Sequence, residues 1–366
     1  MIRILHAADL HLDSPFQGLG QDKALARREE QRELLRRLGA LAVERKADVL
    51  LLAGDLFDSQ GAYAETARLL GEVLSRLPMP VFIAPGNHDR YSPRSAWTTV
   101  AFGENVHIFR EETISCVALE ALGLRVWGAG FTERYRTPPL AGFCAEKREG
   151  FLDVMVVHGE VGNPASNYGA ITAEELAGSG MDYVALGHVH SASGLLRAGD
   201  TFYAWPGCPE GRGFDETGEK GVYLVELEKG GCRAEFIPMG GRRYAWIEVK
   251  LADGEEPLAA VEKALDRDTS RDIYRISLTG ETAAAPDTAA LTRALEERFY
   301  ALELRDETSL RRDIWAERGS DSLKGLFLAR LYELFQTAAD EEERERVTQA
   351  VRWGLRAMEN GEELPL

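Results

Sequence analysis

Five short polar groups, each directly after an apolar run of strand length, constrain the fold of this 366-residue chain more than any other feature. The groups are Asp9-x-His11, Gly54-Asp55, Gly86-Asn87-His88-Asp89, His158-Gly159-Glu160 and Gly187-His188-x-His190. In an open α/β sheet the carboxyl ends of the strands converge on one crevice. We therefore expect an α/β fold in which these groups, distant in sequence, face one another.

The spacing of apolar residues favours the same fold class. It predicts strands over 2–8, 48–53 and 80–84, separated by amphipathic helices over 22–46 and 62–76. Later strands are predicted over 106–109, 113–119, 124–129, 152–157 and 182–186, and hairpins over 194–205 and 221–238. This part of the chain is thus expected to be α/β with a β-rich second half.

The pattern changes near Met239-Gly240-Gly241, where we place a domain boundary. Beyond it the predicted elements are strand 245–251, helix 257–266, strand 273–279, helix 287–297, strand 300–305, and helices over 321–338 and 340–358. No comparable polar group follows these later strands. The predicted domains are a catalytic domain 1–240, a small α+β domain 241–318 and a C-terminal helical segment 319–366.

The formal net charge of −17 argues against a broadly basic surface for holding nucleic acid. If nucleic acid is the substrate, local basic patches, divalent cations or a partner must supply the positive field. No apolar run approaches the roughly 20 residues of a membrane span, and the N-terminus lacks a signal-like apolar stretch. We therefore expect a cytoplasmic protein without a membrane partner.

Two carboxylates, one amide and four imidazoles in the five groups are suitable ligands for two divalent metal ions. The predicted ligands are Asp9, His11, Asp55, Asn87, His158, His188 and His190. Asp55 is expected to bridge the two ions. One ion is then completed by Asp9, His11 and His190, and the other by Asn87, His158 and His188. Mixed imidazole and carboxylate ligation suits Mn²⁺, Fe or Zn²⁺ better than Mg²⁺, and Mn²⁺ is the predicted ion.

The expected chemistry is phosphoester hydrolysis by a metal-bridging hydroxide. His88, oriented by Asp89, is predicted to be the general acid that protonates the leaving oxygen. A single histidine after a strand is usually structural, and His6 and His107 are expected to be so. Five of the seven histidines nevertheless fall in the polar groups, which favours a shared metal site.

The motifs DxH, GD, GNHD, HG and GHxH, in this order, resemble those of the calcineurin-like metallophosphoesterase family over residues 3–240. The resemblance implies a four-layer α/β sandwich, in which helices flank two facing mixed sheets. It also implies the same ligand assignments. A small α+β cap domain and C-terminal helices would complete the chain.

Segments 6–15, 54–58 and 206–216 resemble the bacterial YhaO-type branch of the SbcD-like DNA exonucleases. This resemblance implies an exonuclease or endonuclease subunit that acts on DNA in DNA repair. It further implies that domain 241–318 caps the DNA, that an SbcC/SMC-like coiled-coil ATPase docks on 321–338, and that the protein forms a homodimer. The apolar stripe of 321–338 has the alternative role of packing on the chain's own body.

A small-substrate phosphodiesterase or phosphatase, acting on nucleotides or cyclic nucleotides, is the alternative function and would use the same metal chemistry. The region beyond residue 240 favours the nuclease, and the charge of −17 favours the alternative. A catalytically silent scaffold is disfavoured because every predicted ligand and His88 is present.

Four further residues have two interpretations each. Asp58 stands where archaeal and eukaryotic members of the nuclease group place a second active-site histidine. It either orients a metal-bound histidine or caps a turn. Arg90, Arg212 and Lys220 either contact substrate phosphates or are ordinary surface charges.

Overall fold

The computed structural model describes residues 1–252, 254–265, 268–310 and 313–360. The strands are β1 (Ile2–Ala7), β2 (Val49–Leu52), β3 (Val81–Ile83), β4 (Val106–Ile108), β5 (Ser115–Leu119), β6 (Leu124–Ala129), β7 (Leu152–His158), β8 (Glu160–Val161), β9 (Ala170–Ile171), β10 (Tyr183–Gly187), β11 (Leu196–Ala198), β12 (Thr201–Ala204), β13 (Gly221–Glu228), β14 (Gly231–Pro238), β15 (Tyr244–Lys250), β16 (Ile273–Thr279), β17 (Glu281–Thr282), β18 (Ala301–Asp306) and β19 (Ser309–Leu310). The helices are α1 (Gln21–Glu44), α2 (Ala64–Ser75), α3 (Ala96–Thr99), α4 (Ala173–Gly178), α5 (Pro257–Ala264), α6 (Thr288–Leu295), α7 (Leu323–Thr337) and α8 (Glu341–Asn360). The predicted end of α5 at residue 266 lies outside the described residues.

The first large sheet has the strand order β14-β13-β1-β2-β3-β4. The neighbours from β1 to β4 are parallel, whereas β13 runs antiparallel to β1. Ala7 pairs with Leu52, and Leu52 pairs with Ile83, so the ends of these three strands lie at one level. The polar groups that follow β1, β2 and β3 are brought together by this register.

The second large sheet has the strand order β11-β12-β10-β7-β6-β5. Its central strands β6, β7, β10 and β12 are parallel, and the edge strands β5 and β11 are antiparallel to their neighbours. Gly187 at the end of β10 pairs with His158 at the end of β7. The last two polar groups therefore also leave the sheet side by side.

Three apolar layers hold these sheets together. The middle layer contains buried residues of both sheets, including Ile4 and Leu51 of the first and Val156 and Ala185 of the second. On its other face the first sheet packs against α1 and α2, and the second packs against α4 and the loop before β7. Because burial on both faces requires near-continuous apolar strands, this packing explains the apolar runs of the sequence. The order helix, sheet, sheet, helix confirms the predicted fold class.

The later part of the chain contains a three-stranded sheet of order β15-β16-β18 and the helices α5 to α8. The chain divides into two compact units. The first unit comprises Met1–Glu248, Leu265–Ser277 and Ala289–Arg305, and the second comprises Val249–Ala264, Leu278–Thr288 and Asp306–Leu366. Among the described residues, none of the helices combines the length and apolar character required to cross a membrane.

Helix α4 is absent from the sequence-based prediction, although its N-terminus carries a recognisable signal. The Thr172 hydroxyl accepts the backbone N–H of Glu175, and the Glu175 carboxylate accepts the backbone N–H of Thr172. This reciprocal pair is a capping box, which satisfies two donors at a helix start. The helix has six residues, which is too short for apolar periodicity to show.

Candidate metal centre

The predicted ligands follow the carboxyl ends of five parallel strands, β1, β2, β3, β7 and β10. Four of them have left-handed backbone conformations: Asp9 (φ 53°), His11 (φ 44°), Asp55 (φ 50°) and His188 (φ 97°). Left-handed non-glycine residues are uncommon and persist where surrounding contacts enforce them. Here the loops after β1 and β2 bind each other, because the N–H of Asp9 donates to Gly54 O (3.0 Å) and that of His11 to Asp55 O (2.9 Å).

A glycine beside Asp55 is required by the close packing of these loops. Gly54 has φ 87°, and a Cβ at this position would lie 2.6 Å from His158 Nδ1. The clash with the imidazole excludes a side chain here, and the left-handed conformation would add strain. The loop after β2 can therefore pass close to the side chain of His158.

The side chains of Asp9, His11 and His190 form the first group of candidate ligands. One ligand atom from each lies within 4.8 Å of the others. The Nε2 atoms of His11 and His190 are 3.3 Å apart, although they come from different sheets. This trio is the set predicted to complete one metal ion with Asp55.

A second group contains Asp55, His158 and Asn87. His158 Nε2 lies 3.0 Å from Asn87 Oδ1 and 3.3 Å from Asp55 Oδ2. Ligand atoms about 2.1 Å from an ion lie roughly 3 Å apart when they subtend a right angle at it. The same Asp55 oxygen lies 3.8 Å from His11 Nε2 in the first group, so Asp55 stands between the two groups, as expected of a bridge.

His188 joins the site by its backbone and by its ring. Its N–H donates to both Asp9 carboxylate oxygens, each at 3.0 Å. The His188 ring centroid lies 5.1 Å from that of His158 and 5.3 Å from that of Tyr168. His188 thus lies beside the second group, to which it was assigned.

The charges of the buried groups fit the binding of divalent cations. Burial raises the pKa of the Asp9 carboxyl to about 6, and burial lowers the pKa of His11 and of His188 to about 4. Burial also disfavours the charged ring of His158, but the carboxylates of Asp55 and Asp9 outweigh it and raise the pKa of His158 to about 9. The two neutral imidazoles and the two buried carboxylates offer lone pairs to divalent cations, and an ion bound at His158 would replace the proton of its ring.

The predicted general acid, His88, is exposed at the edge of this cluster. Its ring centroid lies 4.9 Å from that of His11, and its backbone N–H donates to Asp55 Oδ1 at 2.9 Å. His88 Nδ1 lies 2.8 Å from the backbone oxygen of Asp58. Because a carbonyl oxygen only accepts, Nδ1 carries the hydrogen and Nε2 is the atom that gains or loses a proton.

Asp89 does not orient His88, so this part of the prediction is wrong. The Asp89 carboxylate is buried and accepts three backbone N–H groups instead, from Gly86 (2.7 Å), Leu56 (2.7 Å) and Phe57 (3.3 Å). These donors lie in the turns after β2 and β3. Asp89 therefore joins two ligand-bearing loops, and the orienting contact for His88 comes from the main chain of Asp58.

A network next to His11 and His190 contains a residue that the sequence analysis missed. Glu216 is buried and places Oε1 2.7 Å from His190 Nδ1. Arg212 pairs with Glu216 and Asp58, and Lys220, which is 8% exposed, donates to His190 O at 3.0 Å. Arg212 and Lys220 are therefore not ordinary surface charges. The only sequence signal for Glu216 was its position in the Gly-rich segment 206–216.

Residues 2–192 match the family model for the calcineurin-like phosphoesterase domain, and the chain belongs to this family. The chain is 32% identical over 246 residues to the uncharacterized metallophosphoesterase YhaO of Bacillus subtilis, covering 64% of this chain and 60% of YhaO. The chain thus spans less than two thirds of the length of YhaO. Calcineurin-like phosphoesterases bind two divalent metal ions, and the site contains candidate groups of histidine and aspartate ligands.

Two further relatives carry nuclease or repair names. The DNA double-strand break repair protein Mre11 of Methanopyrus kandleri is 26% identical over 347 residues, which are 84% of this chain and 73% of that protein. A component of the nuclease SbcCD of Bacillus subtilis is 26% identical over 294 residues, which are 69% of this chain and 71% of that protein. The family predicted from the motifs is confirmed by these comparisons.

Proposed function

We propose that this phosphoesterase is a Mn²⁺-dependent DNA nuclease that hydrolyses phosphodiesters in DNA repair in the cytoplasm. The observation that carries the proposal is the placement of His88, an exposed proton donor beside the two ligand groups. The names of the Mre11 and SbcCD relatives point to DNA as the substrate class.

His88 supplies the proton that the reaction requires. The alkoxide oxygen of a deoxyribose is a poor leaving group, so its departure is slow unless it is protonated. The carbonyl of Asp58 fixes the His88 tautomer, and Nε2 holds the proton that is transferred. Solvent exposure of this ring leaves room for a phosphodiester next to it.

The remaining site residues would bind the metal ions or hold the ligand loops in place. When bound, two divalent ions supply activation of water and neutralisation of the phosphoryl oxygens. Asp9, His11 and His190 would hold one ion, and Asn87, His158 and His188 the other, with Asp55 shared. Asp89 keeps the loops after β2 and β3 at a fixed separation by accepting their N–H groups.

A small-substrate phosphodiesterase or phosphatase is the second candidate, and the net charge of −17 favours it. Long DNA is repelled by an acidic surface unless bound cations or a partner offset the charge. The second compact unit and the nuclease relatives favour DNA instead.

The test compares wild type with His88→Ala on two substrates in Mn²⁺, end-labelled linear DNA and bis-p-nitrophenyl phosphate. The p-nitrophenolate departs without a proton, so its release measures the metal site alone. We expect His88→Ala to lower DNA cleavage by about 100-fold or more and to change hydrolysis of the nitrophenyl diester only a few-fold. Arg94→Ala, an exposed neighbour in the same loop, is the control.

If the wild type cleaves the nitrophenyl diester but not DNA, even with the ATPase partner added, the assignment changes to the small-substrate enzyme. Equal losses on both substrates in His88→Ala would contradict the role of general acid.

Helix α7 is the proposed docking site for an SbcC/SMC-like ATPase. Leu328 is buried and Phe327 packs against Gly354 of α8, so part of the apolar stripe packs within the chain. Leu323 and Leu326, however, are 75% and 67% exposed. We expect Leu326→Glu to abolish binding of the purified ATPase and Gln336→Glu to preserve it.

A homodimer is proposed from the family resemblance, and light scattering of the purified protein tests it.

A further inference from the structure

His11 and His190 share an arrangement that differs from that of His158. Their Nε2 atoms approach each other to 3.3 Å, with the rings 5.0 Å apart, and both point into the group that contains Asp9. Their Nδ1 atoms point the opposite way, and each reaches a carboxylate. His158 Nδ1, in contrast, donates to the backbone oxygen of Ala53 at 2.9 Å.

Asp58 and Glu216 are the two carboxylates. Asp58 Oδ1 lies 3.3 Å from His11 Nδ1, and Glu216 Oε1 lies 2.7 Å from His190 Nδ1. The His11 contact is an ion-pair distance without hydrogen-bond geometry. An ionised carboxylate offers only lone pairs, so beside each ring it favours the hydrogen on Nδ1 and leaves the lone pair on Nε2. The Glu216 side chain is 3% exposed and that of Asp58 is 25% exposed, so water screens neither contact well.

Arg212 connects the two carboxylates. Its Nη1 donates to Asp58 Oδ1 at 2.9 Å, and its Nη2 donates to Glu216 Oε1 at 2.5 Å. The planar guanidinium suits this purpose because its donors have a fixed geometry and its charge is permanent. Arg212 Nη2 also lies 3.2 Å from His190 Nδ1, and Glu216 Oε1 lies nearer to this ring nitrogen, at 2.7 Å.

The main chain of His190 is held by the same segment. Lys220 Nζ donates to His190 O at 3.0 Å, and the N–H of Cys208 donates to the same oxygen at 3.4 Å. The segment from Cys208 to Lys220 therefore fixes His190 at both its backbone and its ring. The Arg212 side chain is 18% exposed, and its ion pairs with Asp58 and Glu216 hold it beside the two histidines.

We propose that Asp58, Glu216 and Arg212 are positioning residues that fix the tautomer and orientation of His11 and His190 for one of the two metal ions. The inference rests on the two-metal site of the proposed function. Side-chain partners of this kind raise the basicity of an imidazole ligand and hold its ring in place. His158, which would hold the other ion, has the main-chain oxygen of Ala53 as its partner instead, so the two ions would differ in their dependence on side chains.

The test is calorimetric titration of the metal-free full-length protein with Mn²⁺, comparing wild type with Glu216→Gln and Asp58→Asn. Both variants keep the size of the side chain but lose the charge. We expect wild type to bind two ions and both variants to weaken the same one of the two steps by about 10- to 100-fold. The other step should stay within a few-fold of wild type. Glu219→Gln, an exposed glutamate of the same segment, is the matched control.

A second readout separates positioning from general support of the fold. The visible absorption of bound Co²⁺ reports ligand geometry, and we expect it to change in Glu216→Gln but not in Glu219→Gln. Urea unfolding with a chelator present shows whether each variant is folded. If Glu216→Gln does not fold, Asp58→Asn, which lies on a different loop, still tests the proposal.

Each outcome has one meaning. If wild type binds two ions and both variants titrate like the control, the positioning role is refuted and the two-metal site stands. Equal weakening of both steps also refutes it, because it indicates a general structural role. If wild type binds fewer than two ions, the proposed function fails and this inference fails with it.

Discussion

Gly86→Ala tests the geometry around Asp55, the proposed bridge between the metal ions. A Cβ added at Gly86 would lie 2.1 Å from Asp55 Oδ1 and 2.6 Å from the Asp55 backbone nitrogen. Ordinary van der Waals contact begins at 3.4 Å, so the carboxylate or the turn must move by more than 1 Å. The backbone of Gly86 is not left-handed, so the effect of alanine comes from this contact alone.

The displacement has two expected consequences. Overpacking of a close-packed region costs about 1–3 kcal/mol of unfolding free energy. Misplacement of a reacting group by about 1 Å costs roughly 100-fold in rate. We therefore expect Gly86→Ala to remain folded, to bind Mn²⁺ more weakly, and to hydrolyse bis-p-nitrophenyl phosphate about 100-fold more slowly than wild type.

Three measurements check this expectation, namely urea unfolding in a chelator, Mn²⁺ titration and hydrolysis of the nitrophenyl diester. Gly18→Ala is the control, because no atom lies within 4 Å of a Cβ at that position. If Gly86→Ala binds Mn²⁺ as tightly as Gly18→Ala and is as active, the placement of Asp55 as a ligand is refuted.

Three other perturbations follow from the structure. Burial lowers the pKa of His6 from 6.5 to about 3. Protonation of this histidine in the unfolded chain should therefore remove about 2 kcal/mol of stability between pH 7 and pH 5. Urea unfolding at the two pH values should show this loss in wild type but not in His6→Gln. The pKa of about 9 at His158 predicts release of about one proton when metal binds at pH 7.5, measured by calorimetry in buffers of different ionisation enthalpy. Thr172→Ala should cost about 1 kcal/mol in thermal unfolding, whereas the exposed Thr217→Ala should not. The first expectation would be contradicted by parallel pH curves of wild type and His6→Gln, and the second by metal-binding enthalpies that do not depend on the buffer. An unchanged unfolding midpoint of Thr172→Ala would contradict the third.

The strands and the polar groups after them were predictable because their signals are local. A buried parallel strand is a continuous apolar run, and the position where such a run ends, as at Leu52 or Ile83, indicates where a ligand can follow. The convergence of strand ends then follows from the topology of α/β sheets rather than from any further information in the sequence. The domain boundary near residue 240 stays a prediction.

Apart from Asp58, which the sequence analysis offered as an orienting residue, the partners of the site histidines were not predictable, because each depends on a contact between distant segments. Glu216 reaches His190 across a loop whose path no local pattern specifies. Asp89 is adjacent to His88 in sequence, yet its carboxylate accepts N–H groups from other turns. Adjacency in the chain is therefore a poor guide to which side chain orients which.

The left-handed residues show why the ligand loops need such extensive support. A non-glycine residue in this region costs on the order of 1–3 kcal/mol, although aspartate and histidine are found there more often than most other residues. His11 is left-handed, and its N–H, its carbonyl and its Nδ1 contact Asp55, Ser14 and Asp58, respectively. Each of these contacts offsets part of the strain and also aims the ring. The contacts that keep the strained loop folded are thus the same ones that direct Nε2 toward the proposed metal site, so each of them contributes both to stability and to ligand geometry.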